Sequence, residues 1–506
     1  MLSFKLVVLL QMMMMTRQNV ISITQGKVRG VVRDGFVSYT GIPYANITAT
    51  MARFKRAGIA PLWSETRNSK SMTCSLVSNA EDCLQLDVHA PSAAGSNWPV
   101  LVWVTGGSGP YSPGKIVQEG IIVVIVYHRL GPLGFLCSGD EEIPGNAGVK
   151  DVVLALRWVS DNIVAFKGNA AKVVIAGQSF GAAMVEAVLL SPMANGLYHG
   201  AILQSGSALC PWSFNYDAEE RAKALETITD SSEEDLKTET LLDARIEDLV
   251  AQANKLNVPY FPFAMCVENP SKKEERLLFE APYDLLSSKK GSSVPMMIGY
   301  NNNEAYVFVS ILREANALRR MSRGASFLLP DDLKFLNERE RKQTGRLVED
   351  MYFKKNATMS SLLAYHRDAY FSSHIHRSVR FHSSTSQVFY YQFSYSGDLG
   401  VRPEPGMAKR GAAHSDELAY LFSDGTLDGE EANVQRRLVK LWTNFVKHFN
   451  PSHDGEVAWE VTRADSFRLL DIGTELVMTD YPHARTQRMW DDIYDKFYYT
   501  RNRIGN

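Results

Sequence analysis

Residues 173–184 read Val-Val-Ile-Ala-Gly-Gln-Ser-Phe-Gly-Ala-Ala-Met, and they indicate the fold of this 506-residue chain more clearly than any other segment. It joins a β-branched run to a Gly-x-Ser-x-Gly motif, and small and apolar residues then continue to Leu190. The glycines Gly177 and Gly181 allow a sharp turn that exposes the hydroxyl of Ser179 at the head of a helix. The motif requires a strand before it and a helix after it. Ser179 is therefore the candidate nucleophile, and an ordinary Gly/Ser turn is the alternative.

Further continuous apolar runs predict strands that are covered on both faces. They lie at 100–104, 121–126, 173–176, 200–204, 295–300 and 388–393. Apolar residues recur at helical spacing after Asn146, and the polar stretch 216–257 predicts surface helices. Strands that alternate with helices predict an α/β fold with a large, mainly parallel sheet and helical excursions, in one domain over residues 19–506. Catalytic groups are expected at the carboxyl ends of its strands.

A serine hydroxyl attacks poorly while it is protonated, so a base must accept its proton and a third group must orient that base. In folds with this motif the three groups follow in the order Ser, acid, His. Glu304 comes directly after the run 295–300, and His414 lies on a later loop. We therefore predict Glu304 as the acid and His414 as the base, although a histidine taken alone is more often structural.

Attack on a carbonyl also needs backbone N–H donors for the developing oxyanion. A glycine-rich turn, Gly-Gly-Ser-Gly at 106–109, follows the run 100–104. We predict that the backbone of this turn supplies such donors and that the amide of Phe180, just after the candidate nucleophile, adds another. Most glycine-rich turns after a strand have no such role, so this prediction depends on the nearby serine motif.

Composition and charge narrow the possible partners. Lys and Arg number 54 against 56 Asp and Glu, for a net charge of −2, so the chain has no basic excess with which to bind nucleic acid. Residues 1–18 hold an early lysine and an apolar run, which predicts a signal peptide and a secreted protein; a cytoplasmic protein is the alternative. No later apolar stretch is long enough to predict a membrane span. Asn46 and Asn356, in N-x-T triplets, would carry glycans in a secreted chain.

The five cysteines leave room for one disulfide and guarantee an odd thiol unless one of them bridges to another chain. Cys74 and Cys83 lie close together across a polar loop and form the best candidate pair. Cys137, Cys210 and Cys266 lie in apolar surroundings, where buried free thiols are common. We therefore predict that these three are unpaired.

Further motifs stand in order along the chain: Gly-Ile-Pro-Tyr-Ala at 41–45, Glu-Asp-Cys-Leu at 81–84, Gly-Asn-Ala-Gly at 145–148 and Leu-Gln-Ser-Gly-Ser at 203–207. With the serine motif, they resemble the type-B carboxylesterase/cholinesterase family of α/β hydrolases, especially its insect carboxylesterases. The resemblance implies the α/β-hydrolase fold and supports the Cys74–Cys83 bridge. For the site it implies the triad Ser179, Glu304 and His414 and the oxyanion amides of Gly107, Ser108 and Phe180. For the core it implies the ion pairs Arg53–Glu81 and Arg129–Asp151.

The same resemblance implies a serine carboxylesterase that acts through an acyl-enzyme and needs no cofactor or metal. The loop between Cys74 and Cys83 lacks the aromatic residue with which cholinesterases hold a quaternary ammonium, so we expect uncharged, apolar carboxylic esters as its small-molecule substrates. Gln178 gives a distant likeness to juvenile-hormone-esterase-type sequences. Thr105, Ser108 and Phe180 depart from the residues usual in the family. A catalytically weak or inactive adhesion or binding protein is therefore the alternative.

Overall fold

A computed structural model describes most of the chain. The described residues are 19–47, 53–70, 83–106, 109, 111–229, 238–256, 261–271, 275–314, 317–320, 324–354, 357–402, 404, 411–453, 455, 457–463 and 465–498. Several predictions fall on residues outside these ranges. They concern the leader 1–18, Cys74, Glu81, Gly107, Ser108 and Asn356.

The strands of the described residues are short except around the serine motif. They are β1 Val20–Ile23, β2 Gly26–Arg29, β3 Val31–Val32, β4 Phe36–Pro43, β5 Ala45–Asn46, β6 Gly58–Ile59, β7 Arg67–Asn68, β8 Gln85–Pro91, β9 Trp98–Val104, β10 Ile122–Val126, β11 Gly168–Gln178, β12 Gly200–Gln204, β13 Met296–Asn301, β14 Val388–Phe393, β15 Arg468–Ile472 and β16 Leu476–Asp480. Each apolar run that predicted a strand lies within or overlaps one of them.

The α-helices of the described residues occupy the segments between and after these strands. They are α1 Gly114–Gln118, α2 Gly131–Phe135, α3 Ala147–Asn162, α4 Phe180–Leu190, α5 Ala218–Thr229, α6 Thr238–Asp243, α7 Ile246–Ala253, α8 Pro282–Ser287, α9 Val309–Glu314, α10 Ala317–Arg320, α11 Glu338–Tyr352, α12 Met359–Arg367, α13 Ser373–His382, α14 Leu418–Leu421, α15 Gly429–His448 and α16 Ala484–Phe497. None of them combines the length and the apolar character needed to cross a membrane.

One sheet of eleven strands organises the described residues, in the order β16-β15-β14-β13-β12-β11-β9-β10-β8-β4-β3. The strands from β15 to β10 in this order pair in parallel, while both ends of the sheet pair antiparallel. The mainly parallel sheet predicted from the sequence is therefore confirmed.

The continuous apolar runs reflect a sheet with a core on each face. Successive residues of a strand point to opposite faces, so Val102 and Val104 of β9 join one hydrophobic cluster while Leu101 and Trp103 join the other. Helices α3 and α4 pack on the first face, and α15 packs on the second. A strand with a core on both faces cannot alternate apolar and polar residues.

The prediction of three free thiols is wrong for two of them. Cys137 and Cys266 form a disulfide across 129 positions of sequence, and only Cys210 is a buried free thiol among the described cysteines. The side chain of Asn146 brings the two segments together, because it donates to the carbonyl of Cys266 and accepts from its amide. Apolar surroundings suit a buried disulfide as well as a buried thiol. Cys83 is also disulfide-bonded, and its predicted partner lies outside the described residues.

Candidate active site

The candidate nucleophile lies between β11, which ends at Gln178, and α4, which begins at Phe180. Ser179 has φ 58° and ψ −125°, in the left-handed region that side chains other than glycine avoid. Such a conformation costs about 1–3 kcal/mol and persists only where its surroundings impose it. The amide of Ser179 donates to the carbonyl of Gln204 on β12 at 2.8 Å, which ties the turn to the sheet.

The motif glycines are required by close packing at this turn. A Cβ at Gly177 would lie 2.5 Å from the carbonyl carbon of Gly181, and a Cβ at Gly181 would lie 2.5 Å from the carbonyl oxygen of Val104. Any side chain at either position would force the strand and the helix apart. The motif predicted from the sequence therefore adopts the turn that it requires.

The predicted acid and base meet although 110 positions separate them in sequence. Glu304 begins a short 3-10 turn just after β13, and His414 lies on the loop between β14 and α14. The Nδ1 atom of His414 is 2.6 Å from Oε2 of Glu304. The other carboxylate oxygen of Glu304 accepts the amide of Asn301 at 2.7 Å, which fixes the fully buried carboxylate in place.

The environment of His414 favours its charged form. Burial alone would lower the pKa of the imidazole, but the ion pair and hydrogen bond with Glu304 outweigh it and raise the pKa of His414 above its ordinary value. The ring of Phe371 packs on the imidazole with the ring centres 5.1 Å apart. The base is therefore held by a carboxylate on one side and by an aromatic ring on another.

Ser179 and His414 line the same cavity, so the structure brings all three predicted triad residues together. Among the described residues, the partner within reach of Nε2 of His414 is the side-chain amide of Gln178, at 3.3 Å, rather than the hydroxyl of Ser179. The same amide donates to Oγ of Ser415 at 2.8 Å. Hydrogen bonds between a nucleophile and its base are often looser without substrate than in the reacting complex.

The predicted oxyanion donors are described only in part. Phe180 is the first residue of α4, so its N–H has no acceptor within the helix and is available at the cavity. Gly106 lies two residues after the end of β9 and also lines the cavity. A Cβ at this position would lie 3.2 Å from the amide nitrogen of Gly181. Gly106 therefore lies directly beside the serine turn.

The cavity in front of Ser179 has a volume of about 440 Å³ and a mostly apolar wall. Its apolar lining comes from α2 and the residue before it, the start of α4, α7 and residues 261–263. It consists of Leu130, Pro132, Phe135, Phe180, Val250, Ala253, Phe261, Pro262 and Phe263. His414 is its one titratable lining residue among the described part of the chain. Within the same part, no cluster of His, Cys, Asp and Glu side chains is arranged to hold a metal ion.

A second buried carboxyl group, which the sequence analysis missed, lies behind the base. Glu417 is fully buried and accepts hydrogen bonds from Gln204 and Asn301. Burial and the nearby charge of Glu304 raise the pKa of Glu417 to about 7, against the lowering effects of Asn301 and His414. The position of Glu417, three residues after His414 in a segment with two acids, was the available signal in the sequence.

The chain and its structure are similar to several known proteins. Residues 17–490 match the model of the Carboxylesterase family. The chain is 30% identical to the pyrethroid hydrolase Ces2a of Mus musculus, over 92% of this chain and 90% of that protein. It is also 30% identical to esterase B1 of Culex pipiens, over 93% and 97%. The structure matches that of juvenile hormone esterase from Manduca sexta with a TM-score of 0.84 and 25% identity, over 94% and 99% of the two chains.

Proposed function

Since the chain belongs to the carboxylesterase family and is a carboxylic ester hydrolase, we propose that Ser179, His414 and Glu304 carry out the hydrolysis. One observation carries this assignment. The Glu304–His414 pair, with 2.6 Å between its atoms, lies at the same cavity as a serine held at φ 58° on the head of a helix. Since Glu304 lies at Nδ1, Nε2 is the ring nitrogen proposed to accept the serine proton.

In the proposed mechanism, His414 takes the proton of Ser179 as its oxygen attacks the ester carbonyl. The amides of Phe180, Gly107 and Ser108 receive the negative charge that develops on the carbonyl oxygen. His414 then protonates the leaving alcohol, and an acyl-enzyme remains on Ser179. Water, activated by the same imidazole, releases the acid. Glu304 keeps the proton of the neutral imidazole on Nδ1 and stabilises the imidazolium.

The cavity supports uncharged, apolar esters as the substrate class. Its described wall consists mainly of aromatic and aliphatic side chains and, apart from the proposed base His414, holds no ionisable side chain that could pair with a charged substrate. Burial of an apolar acyl or alcohol group there contributes about 25 cal/mol for each Å² removed from water. The relatives named above are themselves described as ester hydrolases, which agrees with this class.

A fluorophosphonate probe tests the assignment, because it reacts with a serine only when that serine is activated. We expect stoichiometric labelling of the wild-type protein at Ser179, none in Ser179→Ala, and labelling slowed by at least about 10⁴-fold in His414→Ala. Ser415→Ala is the matched control for a serine of the same cavity, and it should keep the label at Ser179. Folded wild-type protein that stays unlabelled would instead support a binding protein.

The remaining proposals concern the organisation and the location of the chain. Residues 19–506 are proposed to form one hydrolase domain, in agreement with the family match over 17–490.

A secreted glycoprotein is proposed, with residues 1–18 as its signal. Asn46 lies at the end of β5 and is half-buried, so a glycan there requires that its side-chain amide be accessible to the glycosylating enzyme. The intact mass of the secreted protein, measured before and after glycosidase treatment, would test the removal of residues 1–18 and the presence of glycans.

A further inference from the structure

The side chain of Phe180 occupies space beside the nucleophile that the proposed mechanism does not use. Phe180 follows Ser179 directly, so its amide faces the oxyanion while its ring points elsewhere in the same cavity. Only 8% of the residue is exposed, so the ring is held in place rather than free to move aside. A small side chain at this position would leave that space to a substrate.

Aromatic residues from three other segments hold this ring. Its centre lies 4.9 Å from Phe135 of α2 and 5.7 Å from Phe261, both edge to face. On a third side, Trp212 lies 6.4 Å away and is itself fixed by a hydrogen bond to the carbonyl of Tyr370. Edge-to-face pairs at these distances are favourable, so displacing the Phe180 ring would disrupt several contacts at once.

A disulfide links the two walls that carry Phe135 and Phe261, although Phe261 itself is 48% exposed. Cys137 lies two residues after Phe135, and Cys266 lies three residues after Phe263, so the disulfide ties the two cavity walls together. A bulky group that enters beside Ser179 must therefore compete with the Phe180 ring rather than push the walls apart. In a closely packed protein interior, even one extra methylene group changes the fit of the side chains.

The proposed mechanism, on which this inference rests, indicates which part of the ester meets the ring. The alcohol must leave beside His414, because that residue protonates it, and the carbonyl oxygen points to the Phe180 amide. The acyl group takes the remaining direction from Ser179 and stays there in the acyl-enzyme. We propose that the Phe180 ring sets the upper size of the acyl group, so that esters of short, unbranched acids are the preferred substrates.

Two ester series test this proposal. One series varies the acyl group of p-nitrophenyl esters from acetate through butyrate and hexanoate to benzoate, and the other varies the alcohol of alkyl acetates. In Phe180→Ala, kcat/KM for benzoate relative to acetate should rise at least about ten-fold, since one methylene in such a pocket changes discrimination by roughly 10–200-fold. Phe180→Leu should show a smaller rise, while neither variant should change the ranking of the alcohols.

Controls separate this proposal from the proposed function. Phe445→Leu alters a buried phenylalanine of the opposite core and should leave the acyl ranking unchanged. The amount of fluorophosphonate label gives the concentration of active sites, and each rate is divided by that concentration. Folded wild-type protein that takes no label would contradict the catalytic assignment itself. Labelled variants at position 180 with an unchanged acyl ranking, or with a changed alcohol ranking instead, would overturn the role of the ring.

Discussion

The side-chain amide of Gln178 lies 3.3 Å from Nε2 of His414. An amide nitrogen can only donate, so this contact suits the neutral imidazole that carries its proton on Nδ1 and accepts at Nε2. That proton then faces the carboxylate of Glu304 at 2.6 Å. Gln178 and Glu304 therefore select the same tautomer from opposite sides of the ring, and it is the tautomer in which a base can receive the serine proton.

Replacing Gln178 by Glu should move the pH dependence of hydrolysis. A carboxylate at this distance accepts the Nε2 proton of the imidazolium and favours the charged form of His414, whose pKa is already raised. Catalysis needs the neutral base. The acid limb of the pH profile of kcat/KM, where the rate falls as His414 becomes protonated, should therefore shift to higher pH by about 1 to 3 pH units. Rate measurements from pH 4 to pH 9 with an uncharged ester give this limb directly.

Ser415→Ala is the matched control for this experiment. It removes the other partner of the Gln178 amide but adds no charge beside the imidazole, so its acid limb should stay within a few tenths of a pH unit of the wild type. If Gln178→Glu leaves the limb in place or moves it to lower pH, the contact between Gln178 and His414 does not exist in the working enzyme.

Glu417 should make stability depend on pH near neutrality. Its pKa is raised to about 7 in the folded protein, above the ordinary value of 4.5, so the folded state binds more protons than the unfolded state between these values. Stability is therefore lost as the pH rises through this range, by up to about 3 kcal/mol. Glu417→Gln cannot ionise and should flatten this decline, as urea unfolding at pH 5 and pH 8 would show. An equal decline in both proteins would contradict the raised pKa.

Much of this site could be predicted from the sequence, because its parts are local. The turn around Ser179 requires two glycines between a strand and a helix, and all of these lie within one short stretch. The place of Glu304 after a strand and the place of His414 on a later loop, in the order Ser, acid, His, predict these two residues. These signals do not depend on knowing which segments meet in space.

The missed features depend on contacts between distant segments. The pairing of Cys137 with Cys266 joins residues 129 positions apart, and apolar surroundings cannot distinguish a thiol from a disulfide. The raised pKa of Glu417 follows from burial beside Glu304, which lies on another element. The likeness of Gln178 to other esterases was noted from the sequence. Its contact with His414 required the rotamer and the loop geometry of the folded chain.

Removing the disulfide should lower stability and loosen the cavity. Replacing Cys137 and Cys266 together by Ser should cost about 2 to 5 kcal/mol, because the bridge closes a long loop in the unfolded chain. The KM for p-nitrophenyl acetate should rise as well, since the two cavity walls are no longer tied. Cys210→Ala, at the buried free thiol, controls for the loss of a sulfur. A melting temperature of the double variant equal to that of the control would contradict the prediction.

The buried pair Arg129–Asp151 should matter far more to stability than a surface pair of the same type. Both side chains are fully buried, Nε of Arg129 lies 2.8 Å from Asp151, and the guanidinium also donates to the carbonyls of Arg53 and Lys55. Arg129→Met would leave a buried carboxylate without its partner, at a cost of about 3–5 kcal/mol in the free energy of unfolding.

The exposed pair at the start of α7, Arg245 with Asp248, provides the comparison, because water and salt screen its charges and Arg245→Met should barely change the free energy of unfolding. Urea unfolding followed by tryptophan fluorescence measures both variants. Similar losses at the two sites would mean that the buried guanidinium is not required to neutralise Asp151. A large loss at Arg129 alone would identify this pair as the anchor that joins the segment after β10 to helix α3, next to the wall of the cavity.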